Sequence, residues 1–259
     1  MDRSYLSSAD VVEASRNFVC IRLATYEDAK EAEFLKQVFG RDGKLENTVF
    51  CFLNPNASER LTRAGRGPRF QFEGPAEMAE FMNQTAFRFP GKPDGESSAP
   101  SLPQMKNLRL ALNVAACDGL PLVVVHATTE SQRQQMAQRL SAASRREMGG
   151  KFHFYESDNS TELRKLIGSK PRSSFYVIEP DEFGQDGKLI RTLAADTDAE
   201  SLAHQLEKVA ASLSKPTKSH RLHVRAGTSQ GIRWETEIPV TDEMAKKATE
   251  RRQSRGARP

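Results

Sequence analysis

A chain of 259 residues, 37% of them hydrophobic, can bury one large core or two small ones, which excludes disorder as its general state. Thirty-eight basic against 34 acidic residues give a net charge of +4, and the pI near 9.0 points toward nucleic acid only if the basicity is spread over a folded surface. It is not spread: the last fourteen residues, from Lys246, hold six basic side chains against Glu250, and the other 245 residues sum to −1.

In chain order, SSADVVEAS (residues 7–15) reads as the tail of a helix, and RNFVCIRL (16–23) as a strand. EFLKQVFG (33–40) is a short helix with a glycine stop, and NTVFCFLNP (47–55) a strand that ends in proline. ERLTRAG (59–65) is a further strand and AEMAEFMNQ (76–84) a closing helix with apolar residues three and four apart. Residues 90–104 form a linker, with four prolines, two glycines and three serines between Pro90 and Pro103.

The second part alternates regularly. Leu108, Ala111, Leu112 and Ala115 have helical spacing and stop at Asp118-Gly119, after which LPLVVVHA is a buried strand. A helix carrying Met136, Leu140 and Ala143 leads to the strand KFHFYES, and one carrying Leu163, Leu166 and Ile167 is closed by Gly168. SSFYVIEP and GKLIRTL are strands joined by the turn FGQDGK, and Leu202, Leu206, Val209 and Leu213 mark the last helix. Residues 219–241 are expected as a β-hairpin, Leu222 and Val224 alternating on one arm and Ile232, Trp234, Thr236 and Ile238 on the other. Residues 242–259 have too few apolar side chains to bury and are expected as a disordered basic tail.

The first part repeats the later elements of the second: RNFVCIRL answers KFHFYES, EFLKQVFG answers ELRKLIGS, NTVFCFLNP answers SSFYVIEPD, and AEMAEFMNQ answers ESLAHQLEK. No counterpart of LPLVVVHA is found in it. A β-α-β-α-β-β-α order with a hairpin before the last helix resembles the thioredoxin-like superfamily. The expected fold is α/β: two thioredoxin-like domains with mixed sheets, residues 1–89 incomplete and 105–214 complete, plus the hairpin and tail.

That resemblance implies a Cys-x-x-Cys after the first core strand, where a helix N-terminus stabilises a thiolate. Here the junction reads His126-Ala127-Thr128-Thr129-Glu130-Ser131, without cysteine. Thr128 or Thr129 suits an N-cap and Glu130 suits the helix dipole, while His126, at the strand end where the resemblance places an active site, is expected to face solvent or cap, with a polar contact to a ligand as the alternative. The family's cis-proline before the third core strand has only Pro171 near its place, ahead of Arg172-Ser173. Cys20 and Cys51, on two apolar strands, are expected as buried small hydrophobes. A thiol role would follow if those strands paired directly.

Cys20, Cys51 and Cys117 form no disulfide framework, and no zinc-type cluster exists beyond the spacing of His220 and His223. Ala64-Gly65-Arg66-Gly67-Pro68-Arg69 is an ordinary basic connection, and no cofactor motif is present. No apolar run is long enough for a membrane span or a secretory signal, so the expected setting is the cytoplasm. The expected function is a non-catalytic thioredoxin-fold protein that binds another protein, or a second copy, by completing its sheet. Two alternatives remain: a truncated thiol-disulfide oxidoreductase whose Cys-x-x-Cys lies upstream, and weak nucleic-acid binding through the tail.

Overall fold

The chain divides into two units, Met1–Pro93 with Trp234–Pro259, and Asp94–Arg233. The structure, a computed structural model, describes residues 4–23, 25–39, 49–90, 102, 105–144, 150–213, 219–232, 238, 240 and 243–256. Most of the linker, and Trp234 with the hairpin arm around it, lie outside the described residues.

In the first unit, helices α1 (Ala9–Ser15), α2 (Ala29–Phe39) and α3 (Pro75–Arg88) fall where apolar spacing places them. Pro75 opens α3, where its missing N–H and fixed φ cost nothing. Between α2 and α3 the chain doubles back through antiparallel bridges Phe50 to Gly65 and Leu53 to Arg60. The two expected strands are therefore isolated bridges among the described residues. One reason is that Phe52 gives its N–H to the Thr62 hydroxyl, at 3.0 Å, rather than to a backbone carbonyl. Phe52 centres the core, with Phe18, Phe50 and Phe72 meeting it edge-on at 5.6, 5.4 and 6.1 Å. A smaller cluster gathers Leu23, Tyr26, Val49 and Ile238 around Ala32 and Leu35, and the Ile238 N–H donates to Tyr26 O at 2.9 Å.

The expected strand over 16–23 is not formed. The last turn of α1 takes up Arg16, Asn17 and Phe18 through their N–H groups, and Val19, Cys20, Ile21 and Leu23 make no backbone hydrogen bond among the described residues. β-branched residues favour a strand only when a neighbouring strand offers a ladder.

The second unit follows the expected order element by element: α4 (Leu108–Asp118), β1 (Leu122–His126), α5 (Glu130–Ser144), β2 (His153–Ser157), α6 (Ser160–Ile167), β3 (Ser174–Pro180), β4 (Gly187–Ala194) and α7 (Ala199–Ser212). Asn107 caps α4 by accepting the Leu110 N–H at 2.8 Å, and Gly119 ends it at φ 65°, a conformation that favours glycine. The mixed sheet has the order β2-β1-β3-β4, with β1 parallel to β2 and antiparallel to β3, and β3 antiparallel to β4.

Strand β1 is buried at every residue because helices cover both faces. Leu122 and Val124 pack with Leu108, Leu112 and Leu163 of α4 and α6, while Val123 and Val125 pack with Met136, Leu140, Leu202 and Leu206 of α5 and α7. Each fully buried Leu or Met there contributes roughly 1.5–3 kcal/mol by area.

Two C-terminal expectations are corrected. Residues 220–229 form helix α8 (His220–Ser229), not a hairpin arm: His223 and Gly227, four apart on one helical face, both meet Phe183 in the β3–β4 turn. The basic tail forms helix α9 (Glu243–Gly256), rich in Glu, Met, Ala, Lys and Arg, all strong helix formers. No helix among the described residues is long and apolar enough to cross a membrane.

Candidate functional site

At the carboxyl ends of β1 and β2, α5 leaves β1 toward one face and α6 leaves β2 toward the other. His126, Thr128, Thr129 and Glu130 lie there, in two polar groups.

The first ties the β1–α5 loop to the start of β3. The Thr128 N–H donates to Ser173 Oγ at 3.3 Å, and the Ser173 hydroxyl donates to Gln132 Oε1 at 2.8 Å. The Gln132 N–H returns to Thr129 Oγ1 at 3.3 Å, so Thr129 fills the expected capping place. Glu130 begins α5 and accepts from Gln134 Nε2 at 3.1 Å, close to the free N–H groups of the first turn. Thr128, Thr129 and Glu130 are exposed, and Pro171 is buried just before this region. The Thr128 N–H, the Thr129 and Ser173 hydroxyls and the Gln132 amide are engaged in holding the loop.

The second group lies beneath. His126 is 1% exposed, which corrects the solvent-facing reading. Its Nδ1 meets Ser157 O at 3.0 Å and its Nε2 meets Ser160 Oγ at 3.2 Å. Ser157 and Ser174 pair with His126 in register from either side, so the three residues form one polar row across β2, β1 and β3. Strand pleating turns this row toward the α4 and α6 face, since residues two apart share a face and Leu122, Val124, Tyr155 and Tyr176 pack there. Tyr155, in the same layer, has its phenol pKa pushed up to about 12 by burial and by the negative charges of Glu162 and Asp158. Neither Ser157 nor Ser160 carries a motif that marks it in the sequence. The only trace of the cluster was a serine at each end of the Asp158-Asn159 turn.

The cysteines are not brought together. Cys20 is exposed and not in a strand, and Cys51 is half-buried between the Phe50 and Leu53 bridges. Crowding around each sulfur raises its thiol pKa, partly offset at Cys51 by Arg60, so thiolate is disfavoured at both. All three cysteines are free. His223 is stacked on Phe183 and bonded to Glu182, and the described residues hold no group of three or more His, Cys, Asp or Glu able to take a metal. The basic connection after Ala64 holds a bridge at Gly65 and a short 3-10 turn, Pro68–Phe70.

At the other end of β1 a cavity of about 550 Å³ opens among Leu120, Pro121, Ala210 and Leu213, with Lys151 and Glu207 paired at 3.9 Å in its wall. Compared with family models, with curated proteins and with solved structures, the chain matches none of them.

Proposed function

We propose that the chain is a thioredoxin-fold protein without dithiol chemistry, which binds another protein by offering residues 18–23 as a template for an extended segment. The sheet order β2-β1-β3-β4 with β3 antiparallel to β1 supports the thioredoxin-like reading of the second unit. The loop that would hold a cysteine pair carries Thr128 to Ser131, which supports a scaffold rather than an exchange site.

One observation carries the binding reading: Val19 is 89% and Ile21 59% exposed, and the backbone groups of Val19, Cys20, Ile21 and Leu23 make no hydrogen bond among the described residues. Unpaired N–H and C=O groups flanked by β-branched side chains favour completion by a further strand, in which main-chain bonds give affinity and alternate side chains give specificity. In this reading the first unit is a degenerate copy of the second that lacks its central strand.

Panning the intact chain against a displayed peptide library tests this. Extended, β-branched binders are expected to protect the amides of residues 18–23 from hydrogen exchange and to lose binding in Val19→Asp/Ile21→Asp. Binders indifferent to that double substitution, with no added protection at 18–23, overturn the reading. Protection that rises with protein concentration alone assigns the surface to a second copy.

A further inference from the structure

We infer that Ser160 and His126 form a nucleophile and general-base pair able to cleave neutral or cationic carboxylic esters, a function beyond the binding surface of the first unit and independent of it. The geometry has three parts. His126 Nδ1 is 3.0 Å from the Ser157 carbonyl oxygen, which can only accept, so Nδ1 carries the hydrogen and Nε2 of the neutral ring presents a lone pair. That lone pair faces the Ser160 hydroxyl at 3.2 Å, the contact a base needs to take the proton of an attacking serine. The imidazole is held within the sheet at 1% exposure while Ser160 is exposed, so the base is fixed and shielded and the nucleophile is reachable.

Ser160 is also the first residue of α6. Asn159 Oδ1 accepts the N–H groups of Thr161 and Glu162 at 3.1 and 3.0 Å, and the Leu163 N–H goes to Asn159 O. The Ser160 N–H makes no hydrogen bond among the described residues. A nucleophile's own N–H at a helix N-terminus is one of the donors that stabilise a tetrahedral oxyanion. Next to His126 in the same row, the Ser157 hydroxyl is fully buried and without a hydrogen-bond partner among the described residues, a cost for which a catalytic role is one of the accepted explanations. Asp158 and Glu162 flank the serine, so an anionic acyl group would be repelled.

The reaction balances without further reagents. As Ser160 Oγ bonds to the ester carbonyl carbon, the C=O electron pair moves to oxygen and the hydroxyl proton passes to His126 Nε2. Collapse breaks the carbon–alkoxy bond, and Nε2 returns the proton to the leaving alcohol. Water then attacks the acyl-serine, giving its proton to Nε2. Release of the carboxylic acid puts that proton back on Ser160 Oγ.

The test uses the full chain and two probes, p-nitrophenyl acetate and a neutral alkyl fluorophosphonate. Expected are a burst of one equivalent of p-nitrophenol per chain and one phosphonyl adduct mapped to Ser160. Ser160→Ala, an exposed first-turn substitution, removes both while the thermal transition is kept. His126→Gln slows acylation at least ~100-fold. Because His126 is buried and its variant can fail to fold, Ser160→Ala alone decides: equal burst and labelling in wild type and Ser160→Ala, or an adduct mapped elsewhere, overturns the assignment.

Discussion

The imidazole of His223 stacks on the ring of Phe183, 4.8 Å between centroids and 24° between planes, and so docks α8 on the β3–β4 turn. Gly227 lets the same helix approach, since a Cβ there would lie 3.0 Å from Phe183 Cε1. Phe183→Ala is expected to free α8: amides of 220–229 lose their exchange protection, while those of β1 keep theirs. Equal loss in both would mean that α8 is part of the cooperative core.

Gly184 and Gly168 separate two costs of a side chain at positive φ. At Gly168, φ 71°, a Cβ meets nothing within 4 Å, and Gly168→Ala should cost about 1–2 kcal/mol from backbone conformation alone. At Gly184, φ 62°, a Cβ falls 2.5 Å from Asn113 Cα and 2.7 Å from Leu112 O, so the turn must leave α4 and the Arg109 bond to Gly184 O is lost. Denaturant melts should show Gly184→Ala as the costlier of the two, by ~2 kcal/mol or more.

Asn159 holds two N–H groups at the start of α6. Asn159→Ala is expected to lower stability by about 1 kcal/mol, and Asn159→Asp, which keeps the acceptor, to recover most of it. A full loss in both variants would show that the side chain does something other than cap.

Tyr155 makes stability depend on alkaline pH. Its folded pKa of about 12 lies above the ordinary value of 10, so the neutral phenol favours the folded state by an amount fully present below pH 10 and lost as pH rises through about 12. Chemical melts between pH 9 and 12 should show this decline in the wild type and a shallower one in Tyr155→Phe. Parallel slopes would assign the alkaline loss to other groups.

The second unit was legible because each signal there had a single physical reading. LVVVH is apolar without alternation, as a strand covered on both faces must be, and Gly119 and Gly168 stop their helices where only positive φ continues the chain. The first unit was less so. RNFVCIRL has the composition of a strand, but composition does not supply the neighbour that makes one, and α1 claims its first residues. Leu222 and Val224 suggested alternation over too few residues to outweigh a helical face at His223 and Gly227. The C-terminal residues bury little, which suggests disorder, yet low burial and helix formation are separate properties. At the candidate site the capping role of Thr129 was readable from local chemistry. The meeting of His126 with Ser157 and Ser160 was not, because it depends on which strand lies beside β1.

The central place of β1 has a consequence during synthesis. Both strands that flank it, His153–Ser157 and Ser174–Pro180, are made after it, so in a nascent chain the two hydrogen-bonding edges of Leu122 to Val125 are not both paired until Pro180 has left the ribosome. At about 5–20 residues per second that interval lasts several seconds. During it the most apolar stretch of the chain presents an unpaired strand edge, the kind of surface through which incompletely folded chains associate.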